Sequence, residues 1–206
     1  MPHYKLTYFP IRGAGEGSRQ IFALAGQEFE DNRVPREQWL TLKPTAPFGQ
    51  MPYLEFDGKK LAQSYAINRY LARQFGFAGK SAFEEALVDS LADHLKDHMS
   101  ECRPYFVVFA GFGEGDVDKL RRETLAPAVT KNYAFFTKFL KENGSGFLVG
   151  SSVTWVDLLV AQHTADLLKN SPEVLDAFPE VKAHQQKIHS IPNIKKWLET
   201  RPETPF

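Results

Sequence analysis

Residues 49–64 read Gly-Gln-Met-Pro-Tyr-Leu-Glu-Phe-Asp-Gly-Lys-Lys-Leu-Ala-Gln-Ser, and the fold can be worked out from this stretch. Two short runs, Tyr53–Phe56 and Lys59–Ala62, flank Asp57-Gly58, a dipeptide typical of a two-residue hairpin turn. We therefore expect two antiparallel strands. Met51-Pro52 stands before them, and proline gives the preceding peptide bond an appreciable cis population. A cis bond would leave the backbone of Met51 free to pair with a peptide-like ligand as an added strand.

Ser64 stands immediately before a helical pattern that has Ile67, Leu71 and Phe75 on one face and Gly76 at its end. We therefore predict that Ser64 is the N-cap of a helix. Free amides and a hydroxyl at a helix N-terminus suit a carboxylate. Taken singly, a proline before a hairpin and a serine cap are usually only structural. Their combination at this spacing favours a site for a peptide and its carboxylate.

The overall composition excludes several classes of protein. Among 206 residues, 25 are basic and 25 acidic, so nothing indicates binding to nucleic acid or to an anionic membrane. The single cysteine, Cys102, excludes an internal disulfide and any CxxC redox or zinc motif. No apolar run approaches the ~20 residues of a membrane span, and the first residues do not resemble a signal peptide. We therefore expect a cytoplasmic protein.

The chain before the hairpin predicts a βαβ unit. Apolar side chains alternate in a strand over residues 3–9, a helix follows over 16–25, and a weaker strand over 28–34. A right-handed crossover would make these two strands parallel. Residues 35–48 are expected to form a loop or a short helical turn. With the hairpin and the helix after it, the order is βαβ–ββα within residues 1–77.

Residues 78–81 are expected to form a linker, and only helices are predicted beyond it. Ser81 and Glu84 have the spacing of a capping box. Thr154 and Asp157 form a second cap signal, which we expect to be structural with no part in catalysis. A bend is expected near Pro127. The predicted helices span residues 82–110, 117–142, 158–168, 173–178, 180–190 and 194–200.

Four short motifs resemble the cytosolic glutathione transferases, most closely the nematode branch of their sigma class. They are Tyr4–Phe9, Phe48–Pro52, Gln63-Ser64 and Gly150…Thr154-x-x-Asp157. The resemblance runs from end to end of the chain. It implies a thioredoxin-like glutathione-binding domain over 1–77, a linker over 78–81 and an all-helical domain over 82–206 that contributes a hydrophobic-substrate pocket. It also implies a homodimer, glutathione as co-substrate, no tightly bound cofactor and no metal.

The same resemblance implies a role for each site residue. Tyr8 would be the catalytic hydroxyl, and Asp97 would reach from the partner subunit to the γ-glutamyl ammonium of glutathione. The other residues implied to bind glutathione are Trp39 and Lys43 at its glycine end, Gly49, Gln50 and Met51 along its cysteinyl part, and Gln63 and Ser64 at its γ-glutamyl carboxylate. The residues implied to line the hydrophobic pocket are Phe9, Met99, Tyr105, Phe106 and Phe206.

Residue 14 departs from the class. Many sigma enzymes have an arginine near the catalytic tyrosine at this position, where this chain has Ala14. We expect Arg12 to compensate in part. The activation required is modest, because lowering a thiol pKa by roughly two units from about 8.5 takes about 2.7 kcal/mol. A neutral Tyr8 hydroxyl that donates to the sulfur would supply roughly 1.5–3 kcal/mol of this.

Structural roles compete with the functional ones at several of these residues. Trp39 could be a surface anchor, Lys43 and Asp97 solvated charges, and aromatic side chains at helical spacing are more often core. His94 and His98 have the i, i+4 spacing of a metal pair, but without a third ligand nearby we expect an exposed helix face.

Conjugation of glutathione to small hydrophobic electrophiles is the function that the resemblance favours. Three alternatives remain open. A prostaglandin D2-forming isomerase would use the same site, and a ligandin would bind haem or other flat apolar ligands without catalysis. A crystallin-like structural protein is disfavoured because Tyr8, Gln50, Gln63 and Ser64 are all present.

Overall fold

Four short strands form one sheet in a computed structural model that describes residues 3–204. They are β1 (Lys5–Tyr8), β2 (Glu30–Arg33), β3 (Tyr53–Phe56) and β4 (Lys59–Ala62), in the order β2-β1-β3-β4. β1 and β2 are parallel, whereas β3 pairs antiparallel with both β1 and β4. The hairpin turn at Asp57-Gly58 has positive φ at both residues, as this turn requires. The expected βαβ unit and hairpin are confirmed.

Three helices accompany this sheet. α1 (Glu16–Ala25) and α3 (Ser64–Phe75) pack against each other, and α3 also contacts β3 and β4. α2 (Arg36–Leu42) lies where a loop or short helical turn is expected. α1 buries the polar side chains of Glu16, Ser18, Arg19 and Gln20, and apolar residues make up most of the rest of the buried faces of α1 and α3. The largest of these fully buried side chains are Ile21, Phe22, Ile67 and Leu71.

The rest of the chain is helical, as expected. Its helices are α4 (Ala82–Phe109), α5 (Val117–Leu120), α6 (Ala126–Asn143), α7 (Trp155–Asn170), α8 (Pro179–His189) and α9 (Pro192–Thr200). The irregularity expected at Pro127 lies one turn earlier, in a π-helical stretch over Arg121–Leu125. Pro127 itself lies at the start of α6, directly after that stretch, where its ring removes the N–H that would continue the regular pattern. Within residues 3–204, every helix is too short or too polar to cross a bilayer.

The chain divides into two compact units, and the first is discontinuous in sequence. It contains the residues up to Phe77 and those from Ile191 onward, whereas the second is Ala78–Ser190. The sequence-based boundary places all of 82–206 in the helical domain, and the structure differs at the C-terminal end. α9 packs against α1, since Trp197 donates its indole N–H to Glu16 at 2.8 Å.

Asp157 is the buried centre of the cap that opens α7. Its Oδ2 accepts the backbone N–H and the hydroxyl of Thr154, both at 2.8 Å. Its Oδ1 accepts the N–H of Leu148 at 2.8 Å and lies 2.9 Å from Nε2 of His184. The side chain is fully buried. This geometry is that of a capping box, and it gives Asp157 a structural role in the second unit.

Candidate active site

Tyr8 ends β1 with its ring buried, only 9% exposed. Its Oη accepts the backbone N–H of Ala14 at 3.2 Å. Burial raises the pKa of Tyr8, and the Ala14 amide and the charge of Arg19 offset only part of that rise. The phenol is therefore neutral near pH 7. Because the oxygen already accepts from Ala14, its own O–H is available as a donor to another group.

The loop after β1 leaves no space around this ring. A Cβ on Gly15 would lie 2.7 Å from Cδ1 of Tyr8, and one on Gly13 would lie 2.8 Å from Oη. Glycine at both positions lets the backbone approach the ring closely and brings the Ala14 N–H to the hydroxyl. This role was not predicted from the sequence, although the run Gly13-Ala14-Gly15 directly after the strand was the available signal.

Arg19 is the cation beside Tyr8. Its guanidinium carbon lies 5.9 Å from the centroid of the Tyr8 ring, and the side chain is fully buried in α1. Arg12 points to the C-terminal segment, where its Nη1 donates to the backbone O of Thr204 at 2.5 Å. The guanidinium that lies beside the Tyr8 ring is therefore that of Arg19, and the compensation for Ala14 expected from Arg12 stays a prediction.

Gln50 and Gln63 meet at the end of the sheet next to the start of α3. Nε2 of Gln63 donates to Oε1 of Gln50 at 3.2 Å, and both side chains are exposed. Gln63 has a φ of 73°, which is rare for a residue with a Cβ and costs roughly 1–3 kcal/mol. It occupies the N-cap position expected for Ser64, and Ser64 is instead the first residue of α3. The unusual backbone of Gln63 thus lies inside the predicted binding stretch.

The other predicted glutathione contacts of the first unit lie close together. The Met51–Pro52 peptide is cis, and β3 begins directly after it. Trp39 and Met51 are half-buried against a small cluster formed by Ala46, Tyr53 and Ala62. Trp39 also meets the ring of Phe9 edge to face at 6.2 Å.

Lys43 is exposed and lies beside Gly49. A Cβ added to Gly49 would lie 3.7 Å from Cγ and Cε of the lysine. The ring of Phe9 lies 5.7 Å from that of Tyr8, so contacts run from Tyr8 through Phe9 to Trp39.

The predicted site residues of the helical unit differ in exposure. Asp97 is exposed on α4, and Met99 is 39% exposed. Phe106 is half-buried. Tyr105 is fully buried with its hydroxyl 3.0 Å from Oγ of Ser171, so it belongs to the core and not to a pocket wall. Phe206 lies outside the described residues.

His98 is fully buried, which corrects the expectation of an exposed histidine face on α4. Its Nε2 lies 3.0 Å from Nε2 of His163, and Sγ of Cys102 lies 3.6 Å from its Nδ1. Burial lowers the pKa of His98 to about 3 and that of His163 to about 4, and it raises the pKa of Cys102 to about 12. All three groups are therefore neutral near pH 7. Over residues 3–204 no three His, Cys, Asp or Glu side chains are grouped to hold a metal ion.

Two family models match this chain. The model described as "Glutathione S-transferase, N-terminal domain" matches residues 4–73, and that described as "Glutathione S-transferase, C-terminal domain" matches 102–201. The chain belongs to the glutathione S-transferase family. Its sheet unit and its helical unit have the fold of that family, and the expected fold class is confirmed.

Relatives of known sequence and structure match this glutathione transferase over its whole length. "Probable glutathione S-transferase 7" of Caenorhabditis elegans is 64% identical over 100% of both chains. The solved structure of NaGST1 is 62% identical over 100% of both chains, with a TM-score of 0.98. The expected transferase activity, with glutathione as co-substrate, is confirmed at the level of the family.

Three further solved structures bear on the finer expectations. A Nu-class transferase from Haemonchus contortus is 54% identical over 100% of both chains, with a TM-score of 0.93. Na-GST-3 from Necator americanus, described as monomeric, is 56% identical over 99% of this chain and 100% of its own, with a TM-score of 0.98. Prostaglandin synthase D of Nilaparvata lugens is 35% identical over 98% of this chain and 100% of its own, with a TM-score of 0.86.

Proposed function

We propose that this transferase conjugates glutathione to small hydrophobic electrophiles, and that Tyr8 is its catalytic residue. The observation that carries the proposal is the state of the Tyr8 hydroxyl. Its oxygen accepts from the Ala14 amide, burial keeps the phenol neutral, and its O–H is left as a donor. Such a donor stabilises a thiolate more than a thiol, because hydrogen bonds to an ion are the stronger ones.

The free energy of such a hydrogen bond is large enough to lower the pKa of the glutathione thiol substantially. A hydrogen bond to a charged group contributes roughly 1.5–3 kcal/mol, which corresponds to about one to two units in the thiol pKa. A hydrogen bond that Tyr8 accepts polarises its O–H, and cooperative chains of this kind strengthen each bond by roughly 10–30%. Deprotonated glutathione then attacks the electrophilic carbon. The new C–S bond forms as the leaving group departs with its electron pair, or as a conjugated double bond takes up the pair.

For the tripeptide, we propose that the remaining polar groups of the first unit hold its ends. Met51 would pair with the cysteinyl backbone beside Gly49 and Gln50. The linked amides of Gln50 and Gln63, together with Ser64 at the start of α3, suit the γ-glutamyl carboxylate. The proposed contacts at the glycine end are Trp39 and Lys43.

We propose that the electrophile contacts Phe9, Met99 and Phe106, with Phe206 as a further candidate. The ring of Phe9 lies beside that of Tyr8. Met99 is 39% exposed and Phe106 is half-buried. A role in detoxification and a cytoplasmic location remain proposals. Binding of haem or other flat apolar ligands is the non-catalytic alternative.

A homodimer is the state we propose in solution, with Asp97 completing the partner's site. Large exposed apolar side chains on α4 and α6 favour an interface there, since Phe83 is 76% and Phe135 is 48% exposed. The monomeric Na-GST-3 makes a single chain the alternative, which sedimentation equilibrium would distinguish.

Prostaglandin isomerisation is the second candidate activity, favoured by the 35% identical prostaglandin synthase D. One glutathione-dependent panel tests both, with an aryl halide, an alkenal, a hydroperoxide and prostaglandin H2 as substrates. Conjugation products with the first two support the main proposal. Prostaglandin D2 as the only product would replace it.

The class within the family is also a proposal. The motifs at Tyr4–Phe9 and Phe48–Pro52 favour the nematode branch of the sigma class, whereas a 54% identical relative is described as Nu-class. A Tyr8-dependent thiol pKa is what we expect of the sigma assignment.

A further inference from the structure

The buried guanidinium of Arg19 joins three segments of the first unit. Its Nη1 donates to the backbone O of Ile11 at 2.7 Å, and its Nη2 donates to that of Phe9 at 3.3 Å. Its Nε donates to Oδ1 of Asp31 on β2 at 3.0 Å. A single side chain of α1 therefore holds the start of the loop that follows Tyr8. Only a planar fork with several donors can make these bonds at once.

Glu16 connects Arg19 to the C-terminal segment. Its Oε2 lies 3.6 Å from Nη1 of Arg19, and its Oε1 accepts from Trp197 at 2.8 Å and from Arg201 at 2.5 Å. The carboxylate is 2% exposed. Removing a partner from a buried ion of this kind is strongly unfavourable, so Trp197 and Arg201 restrain the position of Glu16.

We propose that Arg19 is a positioning residue for Tyr8, and that Trp197 and Arg201 hold it in place through Glu16. The guanidinium fixes the carbonyl groups of the loop that carries Ala14, and it lies against the Tyr8 ring. Residues at the two ends of the chain thereby determine where the Tyr8 hydroxyl lies. This inference rests on the proposed catalytic role of Tyr8.

Other charged groups surround Arg19 and are part of its setting. Glu16 faces it from α1, and Asp31 faces it from β2, where Asp31 also pairs with Arg33 at 2.7 Å. Arg201 is the charge that reaches Glu16 from beyond α9. Glu16 and Asp31 each pair with Arg19 and also with a second guanidinium group, that of Arg201 or Arg33, so we expect Arg19 to act on Tyr8 mainly by fixing the position of the loop.

The test compares Arg19→Lys, Trp197→Phe and Arg201→Gln, each made in the wild-type chain and in Tyr8→Phe. Lysine at position 19 keeps the charge but cannot make the fork of hydrogen bonds. In the wild-type background we expect each variant to lower kcat by about threefold to tenfold and to raise the pKa of bound glutathione by about half a unit to one unit. The KM for glutathione should change little. In the Tyr8→Phe background the same substitutions should have almost no further effect, because they act through the missing hydroxyl.

Lys195→Gln is the matched control on α9, since it removes only an exposed ion pair with Glu199. Equal losses of kcat in both backgrounds would mean a purely structural network and would overturn the proposal. So would an unchanged thiol pKa in Arg19→Lys. If Arg19→Lys does not fold, Trp197→Phe and Arg201→Gln test the proposal in the same way, by the loss of kcat in the two backgrounds and by the pKa of the bound thiol. Wild-type activity of Tyr8→Phe itself would instead overturn the role proposed for Tyr8.

Discussion

The backbone N–H of Ala14 lies 3.2 Å from Oη of Tyr8, and it is the donor in that pair. This one bond sets which way the hydroxyl can act, because an oxygen that already accepts from an amide presents its proton elsewhere. Ala14 therefore acts through its backbone, at a position where the resemblance to the sigma class implies an arginine side chain.

The first prediction concerns that hydroxyl. Tyr8→Phe should lower kcat by about tenfold or more, because a hydrogen bond to a thiolate contributes roughly 1.5–3 kcal/mol. Affinity for glutathione should change little. Steady-state kinetics at pH 6.5, with a substrate for which chemistry limits the rate, measure this. Tyr70→Phe removes a half-buried tyrosine hydroxyl on α3 and should be silent. Equal turnover of Tyr8→Phe and wild type would remove Tyr8 from the mechanism.

The second prediction uses the lack of space around the ring. Gly15→Ala places a Cβ 2.7 Å from Cδ1 of Tyr8 at a residue whose φ of −83° is itself unstrained. Overpacking of this kind costs roughly 1–3 kcal/mol of stability, and displacement of the ring should lower kcat. Gly113→Ala is the control, because its Cβ would lie 2.9 Å from Cγ1 of Val107 in the helical unit. It should leave kcat unchanged. A Gly15→Ala enzyme with normal kcat would contradict the tight fit.

The features of this site that could be predicted from the sequence are those set by residues close together along the chain. The hairpin at Asp57-Gly58 and the start of the helix at Ser64 were predicted to within one residue, because turns and helix ends are set by neighbouring residues. Arg19 and Gly15 were missed, because their importance comes from where β1 places the Tyr8 ring. His98 was assigned to the wrong face of α4, since i, i+4 spacing tells which side chains share a face but not whether that face is buried.

The third prediction concerns Asp157. Asp157→Ala should lower the free energy of unfolding by about 2–4 kcal/mol, because several buried donors lose their acceptor at once. Constants measured per folded molecule should stay near those of wild type. Denaturant titration measures the free energy of unfolding. Titration of active sites gives the number of folded molecules, to which the kinetic constants are referred. Asp116→Ala removes an exposed cap that accepts from Lys119 at 3.0 Å, and it should lower the stability much less than Asp157→Ala does. A stable Asp157→Ala with weak glutathione binding would overturn the structural role.

The fourth prediction is a pH dependence of stability. The pKa values of His98 and His163 are lowered to about 3 and about 4, so the folded chain keeps both neutral while the unfolded chain protonates them below about 6.5. The unfolded state then binds more protons, and stability falls as the pH decreases from about 6.5 towards 4, by up to about 1.4 kcal/mol per unit for each histidine. His163→Gln should flatten this slope in urea titrations at several pH values. His3→Gln, which replaces an exposed histidine, should leave the slope unchanged. Parallel slopes for all three proteins would contradict the prediction.

The last prediction concerns Asp97 and the proposed dimer. The γ-glutamyl ammonium needs a carboxylate, because a partly buried cation without an acceptor is costly. Tyr8→Phe and Asp97→Ala, each weakly active alone, would be refolded together. If Asp97 acts across a two-fold interface, each heterodimer has one site with both residues intact and one with neither. Activity of the heterodimer should then recover towards half that of wild type.

The same mixing experiment has two clear negative outcomes. If Asp97 serves its own chain, every heterodimer site carries one lesion, and mixing restores nothing. Asp93→Ala, one turn earlier on α4, is the control and should leave glutathione affinity unchanged. An unchanged affinity in Asp97→Ala as well would mean that Asp97 is a solvated helix residue.

The discontinuity of the first unit has a consequence for how the protein is made. Residues leave the ribosome in order, and domains generally fold as they emerge. The contiguous unit Ala78–Ser190 can close as soon as it is synthesised. The sheet unit cannot, because Glu16 receives Trp197 and Arg201 only after residue 201 has been translated. The unit that begins first is thus completed last, and Glu16 lacks Trp197 and Arg201 until both residues have been synthesised.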